Sequence, residues 1–215
     1  MKAQIQANYE ERLSRYAALL HGNEPPGLVA KLAVYQQLLR QRDIHGDRLW
    51  KIEAILYPLM LSAETDLHLA VGRLLENPRR AEGSLFAFLE FCVKNRTNIT
   101  WKSGTPPVGE FERQIEELEA RRATIDAIMG RRDKFFAHLD KRYLREPARI
   151  YVDFPLAEQE VIALVNSVIK VVTDHEWKFR DAASFHVGEF YAIGVENMVR
   201  NLETGRRANF PGQLD

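Results

Sequence analysis

Residues 110–143 read EFERQIEELEARRATIDAIMGRRDKFFAHLDKRY. Phe111, Ile115, Leu118, Arg122, Ile125, Met129, Arg132, Phe136 and Leu139 follow one another by alternating steps of four and three, the spacing that stacks side chains on one face of an α-helix. This pattern predicts one long helix from about Glu110 to Tyr143, and with it an all-α fold. Two arginines interrupt the apolar seam. A guanidinium is costly in a dry core unless it is paired or faces a cleft or a partner subunit, so Arg122 and Arg132 call for an explanation.

Helical spacing continues on both sides of this stretch. Ile5, Tyr9, Leu13, Tyr16 and Leu20 form one stripe, and HGNEPPG at 21–27 ends it. A second helix fits Leu28, Leu32, Tyr35 and Leu39 and stops near His45-Gly46. A third is expected from Asp47 to about Glu76, kinked at Pro58. Its apolar residues lie on more than one face around Ile55 to Leu61, which predicts the central, most buried helix. Ser84 opens a fourth. Thr97 to Gly109 holds two prolines, two glycines and Trp101, and is expected to be a loop, a candidate flap. Trp101 reads either as an anchor for that loop or, with Lys102, as a base-stacking platform.

Downstream, RIYVDF at 149–154 is β-prone and predicts an extended strap. Helices are expected over Leu156–Lys178 and Ser184–Glu203, with a frayed tail from Gly205. The fold expected is an all-α helical bundle in one structural domain: residues 1–46 as an N-terminal helical extension, 47–180 as the bundle, 181–215 as a C-terminal helix and tail.

Composition narrows the function. The chain has 215 residues, 46% hydrophobic and 28% charged, with 30 basic and 30 acidic side chains, an ordinary globular profile. The single Cys92, flanked by Phe91 and Val93, predicts a buried reduced thiol and a cytosolic home, and leaves no cysteine metal site. The apolar run Ala54–Ala63 is too short for a membrane span, and the N-terminal MKAQIQANYEERL lacks a signal core. No glycine-rich phosphate loop, GxGxxG, GxSxG or HExxH is present, so no cofactor is expected. Glu64/His68 and His186/Glu189 sit at helical spacing and keep a metal-binding bundle as a minor alternative. From Arg121 to Arg149 nine basic residues face four acidic ones, a local +5 against −5 elsewhere, which is compatible with docking an RNA backbone.

The chemistry concentrates in RRDKFFAHLD at 131–140. Arginine forks onto phosphate oxygens and stabilises charge that builds on phosphorus, while histidine moves a proton near neutral pH. Together they suit RNA cleavage through the 2′-hydroxyl, in which the nucleophile is already in the substrate and a metal is not obligatory.

These residues resemble the motif of HEPN domains (higher eukaryotes and prokaryotes nucleotide-binding), in which an Arg, often followed by Asn, Asp or His, precedes a His by four to six residues. Arg132, followed by Asp133, has five residues before His138, and Arg131 has six. Asp133 selects Arg132. Helical geometry speaks for Arg131, which shares a face with His138, whereas Arg132 and His138 lie about 120° apart on an ideal helix. The context DLHLAVGRLLENPRRAEGSLFAFLEF at 66–91 and FPLAEQEVIALVNSVIKVV at 154–172 is similar to the HEPN branch related to the bacterial abortive-infection protein U, over about Leu49 to Lys178.

The resemblance implies a helical bundle that forms a homodimer, so that two Arg/His motifs meet in one cleft. It implies a metal-independent endoribonuclease in antiphage defence or a toxin-like system, with Arg132 and His138 catalytic and Arg131, Asp133, Lys134, Lys141 and Arg142 supporting or RNA-binding. RNA and a neutralising partner protein are the partners it implies. The tyrosine modified in some HEPN toxins, two residues beyond the His, is replaced here by Asp140, so that mechanism does not carry over. The rival reading is a non-catalytic HEPN module that binds RNA, nucleotide or a partner protein.

Overall fold

The computed structural model describes residues 1–22, 24–137, 140–180 and 187–214, and all regular structure among them is helical. The helices are α1 (Lys2–His21), α2 (Leu28–His45), α3 (Arg48–Ile52), α4 (Leu56–Leu74), α5 (Leu85–Asn95), α6 (Glu110–Glu119), α7 (Arg122–Arg131), α8 (Lys141–Arg145), α9 (Arg149–Asp153), α10 (Glu158–Arg180) and α11 (Gly188–Asn209). The all-α reading holds. No helix among the described residues is long and apolar enough to cross a membrane.

The hub of the bundle is α2, which packs against α1, α3, α4, α10 and α11. It buries Leu28, Leu32, Tyr35, Leu38 and Leu39 around several faces. The sequence pointed instead to a helix from Asp47 to Glu76, and that stretch is broken: Glu53 is extended and α4 starts afresh at Leu56. Pro58 explains the break. Its ring would clash with the carbonyl of residue 54 in a continuous helix, whereas in the first turn of α4 its missing N–H costs nothing. Of the apolar residues that suggested central burial, Leu56 is buried, but Ile55 is 60% exposed, Tyr57 51% and Leu59 37%.

A second focus joins α1, α5, α6 and α10. Trp101 Nε1 donates to the Tyr9 hydroxyl at 2.9 Å, that hydroxyl donates to His175 Nδ1 at 3.0 Å, and His175 Nε2–H donates to Gln114 Oε1 at 2.9 Å. Each donor fixes the next, so His175 is a neutral tautomer, and burial pushes its pKa down to about 3. Phe88 and Phe111 close the cage. Trp101 is therefore the loop's anchor and not a stacking platform, and the 97–109 segment is pinned rather than a flap. Lys102 N–H further ties it to the Lys178 carbonyl at 3.0 Å.

Three other expectations change. The predicted long helix divides at Ala120–Arg121, and after Arg131 it widens into a π turn over Arg132–Phe136, closed by Ala137 N–H to the Arg132 carbonyl at 2.8 Å. Each irregularity shifts the helical phase, so the alternating spacing overstates the continuity of the seam. RIYVDF is the short helix α9 rather than a strap, because Pro147 precedes it, Arg149 pairs with Glu146 and Asp153 along the axis, and Ile150 is buried. The tail from Gly205 is ordered: α11 continues to Asn209, and Leu214 packs with Leu49, Ile52, Leu56 and Val199.

Candidate functional site

The end of α7 and the π turn that follows it deliver two consecutive arginines to different environments. Arg131 points inward and is 4% exposed. Its Nε donates to the Phe154 carbonyl at 2.9 Å, its Nη1 lies 3.3 Å from Glu64 Oε1, and the Tyr151 ring covers its flat face with the centroid 4.9 Å from Cζ. Gly130 makes this approach possible, since a Cβ there would stand 2.1 Å from the Phe154 ring. Burial lowers the Arg131 pKa against the pull of Glu64, and burial raises that of Glu64 against the pull of Arg131. Buried Tyr35 adjoins this cluster, and the partly exposed Arg42–Glu158 pair borders it.

His68, one turn beyond Glu64 on α4, is fully buried beside Arg131. Desolvation, then the neighbouring guanidinium, pushes its pKa down to about 4, so it is neutral near pH 7. Neither ring nitrogen has a hydrogen-bond partner among the described residues, and the Phe136 ring stands 6.4 Å away. The Glu64/His68 spacing that kept a metal reading alive thus faces a cation. No group of three or more metal-ligating side chains occurs among the described residues. His186, of the other spaced pair, lies outside them.

Arg132 turns instead to Glu76 and Asp133, which line a groove of about 320 Å³ together with, among others, Leu75, Arg80, Phe86 and Arg122. Its side chain is 15% exposed, with Nε donating to Asp133 Oδ1 at 2.7 Å and Nη1 to Glu76 Oε2 at 2.5 Å. Burial acts to lower its pKa, but the two carboxylates prevail and hold it above the ordinary value. A π turn at this position is a common mark of functional sites, because the extra residue re-aims the side chains that follow.

The remaining site residues spread out. Lys134 and Lys141 are exposed with no ion pair among the described residues, whereas Arg142 pairs with Asp153 at 3.1 Å. His138 lies outside the described residues, so its distance to either arginine is not part of this geometry. Much of the basic strip is internally neutralised: Arg122 pairs with Glu119 and Asp126, Arg131 with Glu64, Arg132 with Glu76, and Arg149 with Glu146. Arg122 escapes the seam altogether, lying over Phe86 at the groove wall. Sequence reasoning did not find Glu76, Tyr151 or Phe154, whose roles come from tertiary approach. Glu64 carried a signal, its helical spacing to His68, but pointed to the wrong chemistry.

The HEPN family model described as AbiU2 matches residues 61–196, from within α4 to within α11. No curated protein and no solved structure matches the chain. The matched span is more than half the chain and contains Glu64, His68, Glu76, both arginines and the π turn. On that match and the all-helical fold, the chain belongs to the AbiU2 family of HEPN domains, an abortive-infection-related group.

Proposed function

We propose that this chain is a metal-independent endoribonuclease that acts as a homodimer in the cytosol, in antiphage defence or a toxin-like system, under the control of a neutralising partner. A histidine base takes the proton of the RNA 2′-hydroxyl, whose oxygen attacks the adjacent phosphorus. The bond to the 5′-oxygen breaks as a histidine acid returns a proton to it, leaving a 2′,3′-cyclic phosphate and a 5′-hydroxyl. His138 supplies these protons, one copy from each subunit, and Arg132 stabilises the extra charge on the phosphorane-like transition state.

The observation that carries this reading is the division of labour where α7 meets the π turn. Arg131 is walled in by Glu64, Tyr151 and the Phe154 carbonyl, while Arg132, on the π turn, is held by Glu76 and Asp133, both of which line an open groove. This supports Arg132 as the substrate-facing arginine and Arg131 as a structural one. Dimerisation supplies the second acid–base group that one motif lacks. The test is cleavage of structured RNA in EDTA, which is expected to persist and to fall by about a hundredfold in Arg132→Ala.

One observation favours the rival reading of a recognition module: Arg131 and Arg132 are both ion-paired within the single chain. RNA binding without cleavage under these conditions would select it.

A further inference from the structure

The proposed chemistry asks Arg132 to hold a phosphate, yet its guanidinium is already engaged by carboxylates. Glu76 accepts from Nη1 and Asp133 from Nε, both in charge-assisted bonds. One cation between two anions gives the triad a net charge of −1. The groove continues that sign, since Glu90, Glu119 and Asp126 also line it, against Arg80 and Arg122. A phosphate arriving here meets repulsion first. The Arg132 and Glu76 side chains are 15% and 17% exposed, so solvent screens this poorly.

The two carboxylates differ in how they can leave. Asp133 is the next residue on the same π turn and moves with Arg132. Glu76 arrives from beyond the last residue of α4, Leu74, on a turn in which the Asn77 carbonyl accepts from Arg80 N–H at 2.8 Å and Ala81 N–H at 3.1 Å. That turn also carries Arg79 and Arg80, both exposed and without an ion pair among the described residues. The segment that blocks Arg132 thus presents two cations to any approaching polyanion.

We propose that Glu76 is an autoinhibitory latch on Arg132, displaced when RNA phosphates draw the Arg79–Arg80 turn toward the nucleic acid. With Glu76 withdrawn, Asp133 still fixes Nε while Nη1 and Nη2 are left to fork onto a phosphate. The latch takes its biological sense from the endoribonuclease reading. The competition itself is electrostatic and is readable from binding alone.

The test uses the full chain and a fluorescent 2′-O-methyl RNA oligonucleotide, which cannot be cleaved through the 2′-oxygen. Glu76→Gln keeps the shape and an acceptor for Nη1 while removing the charge, and is expected to bind about tenfold more tightly than the parent. Glu196→Gln removes the same charge from α11, where among the described residues Glu196 pairs only with Arg200, and is expected to change affinity less than about twofold. Glu76→Asp retains the charge one methylene further from Nη1 and falls between them.

Equal affinity for Glu76→Gln and Glu196→Gln, or weaker binding by Glu76→Gln, overturns the latch whatever a cleavage assay shows. Unmodified RNA in EDTA, given to the same proteins, reports the enzyme separately. A gain in affinity with no cleavage by any of them leaves the latch standing and removes the endoribonuclease, whereas cleavage by the parent with no gain in affinity does the reverse.

Discussion

Replacing Arg131 by alanine separates the two arginines of the motif by stability rather than by rate. The substitution deletes the cation 3.3 Å from Glu64, the donor to the Phe154 carbonyl and the group stacked under Tyr151. Breaking a buried pair from one side costs about 3–5 kcal/mol, because the remaining charge has no partner. The Glu64 side chain is 26% exposed and its carboxyl is already raised by burial, so it escapes part of that penalty by hydration or protonation. The lower end, about 3 kcal/mol, is therefore expected, a fall in Tm of roughly 6–12 °C for a chain of this size. Urea denaturation followed by far-ultraviolet circular dichroism measures it, with an unchanged m-value as the check that the denatured state is the same. Glu64→Gln in the Arg131→Ala background should recover part of the loss. Arg132→Ala, whose own guanidinium is less buried and whose second partner Asp133 is 45% exposed, should lose less, about 2 kcal/mol. A loss for Arg131→Ala no larger than that for Arg132→Ala refutes the assignment of Arg131 as the interior, structural arginine.

The His175 cage predicts acid sensitivity of defined sign. The folded pKa of about 3 lies below the ordinary 6.5, so the unfolded chain takes the proton first. Stability from this group is complete above pH 6.5 and is lost as pH falls toward 3, by up to about 1.4 kcal/mol per unit. Melting curves of the parent and His175→Gln should converge as pH drops from 6.5 to 4.5, and parallel curves would contradict the cage. Gly130→Ala brings a Cβ to 2.1 Å from the Phe154 ring, so it should destabilise by about 1–3 kcal/mol on thermal unfolding. Cleavage should follow a bell in pH centred near neutrality, set by His138 in its two protonation states, and a monotonic profile would count against paired histidines.

The fold was legible wherever periodicity and chain breakers agreed. Leu28 to His45 and the helix opened by Ser84 follow directly from apolar spacing and capping, and the Ser84 side chain accepts from Ala87 N–H at 3.1 Å. Burial was less legible. The excess of apolar residues at Ile55 to Leu61 suggested the core, but local spacing cannot say which neighbour covers a face, and α2 took that place. The motif was visible at 131–138 as a combination of residue types. Which arginine faced inward was not visible, because it depends on Glu64 and Phe154, each more than twenty residues away, and on a π turn with no strong sequence signature. Glu76 was invisible for the same reason: its meaning lies in a contact across 56 residues.

The central claim is the 2′-hydroxyl mechanism, and the ends of the RNA products test it most directly. A short structured RNA incubated with the full chain in EDTA and analysed by mass spectrometry should give fragments with 2′,3′-cyclic phosphate and fragments with 5′-hydroxyl, and none with His138→Ala. That variant should still bind RNA, since Lys134, Lys141 and the Arg79–Arg80 turn are untouched. Products bearing 5′-phosphate, or undiminished cleavage by His138→Ala, would contradict the mechanism.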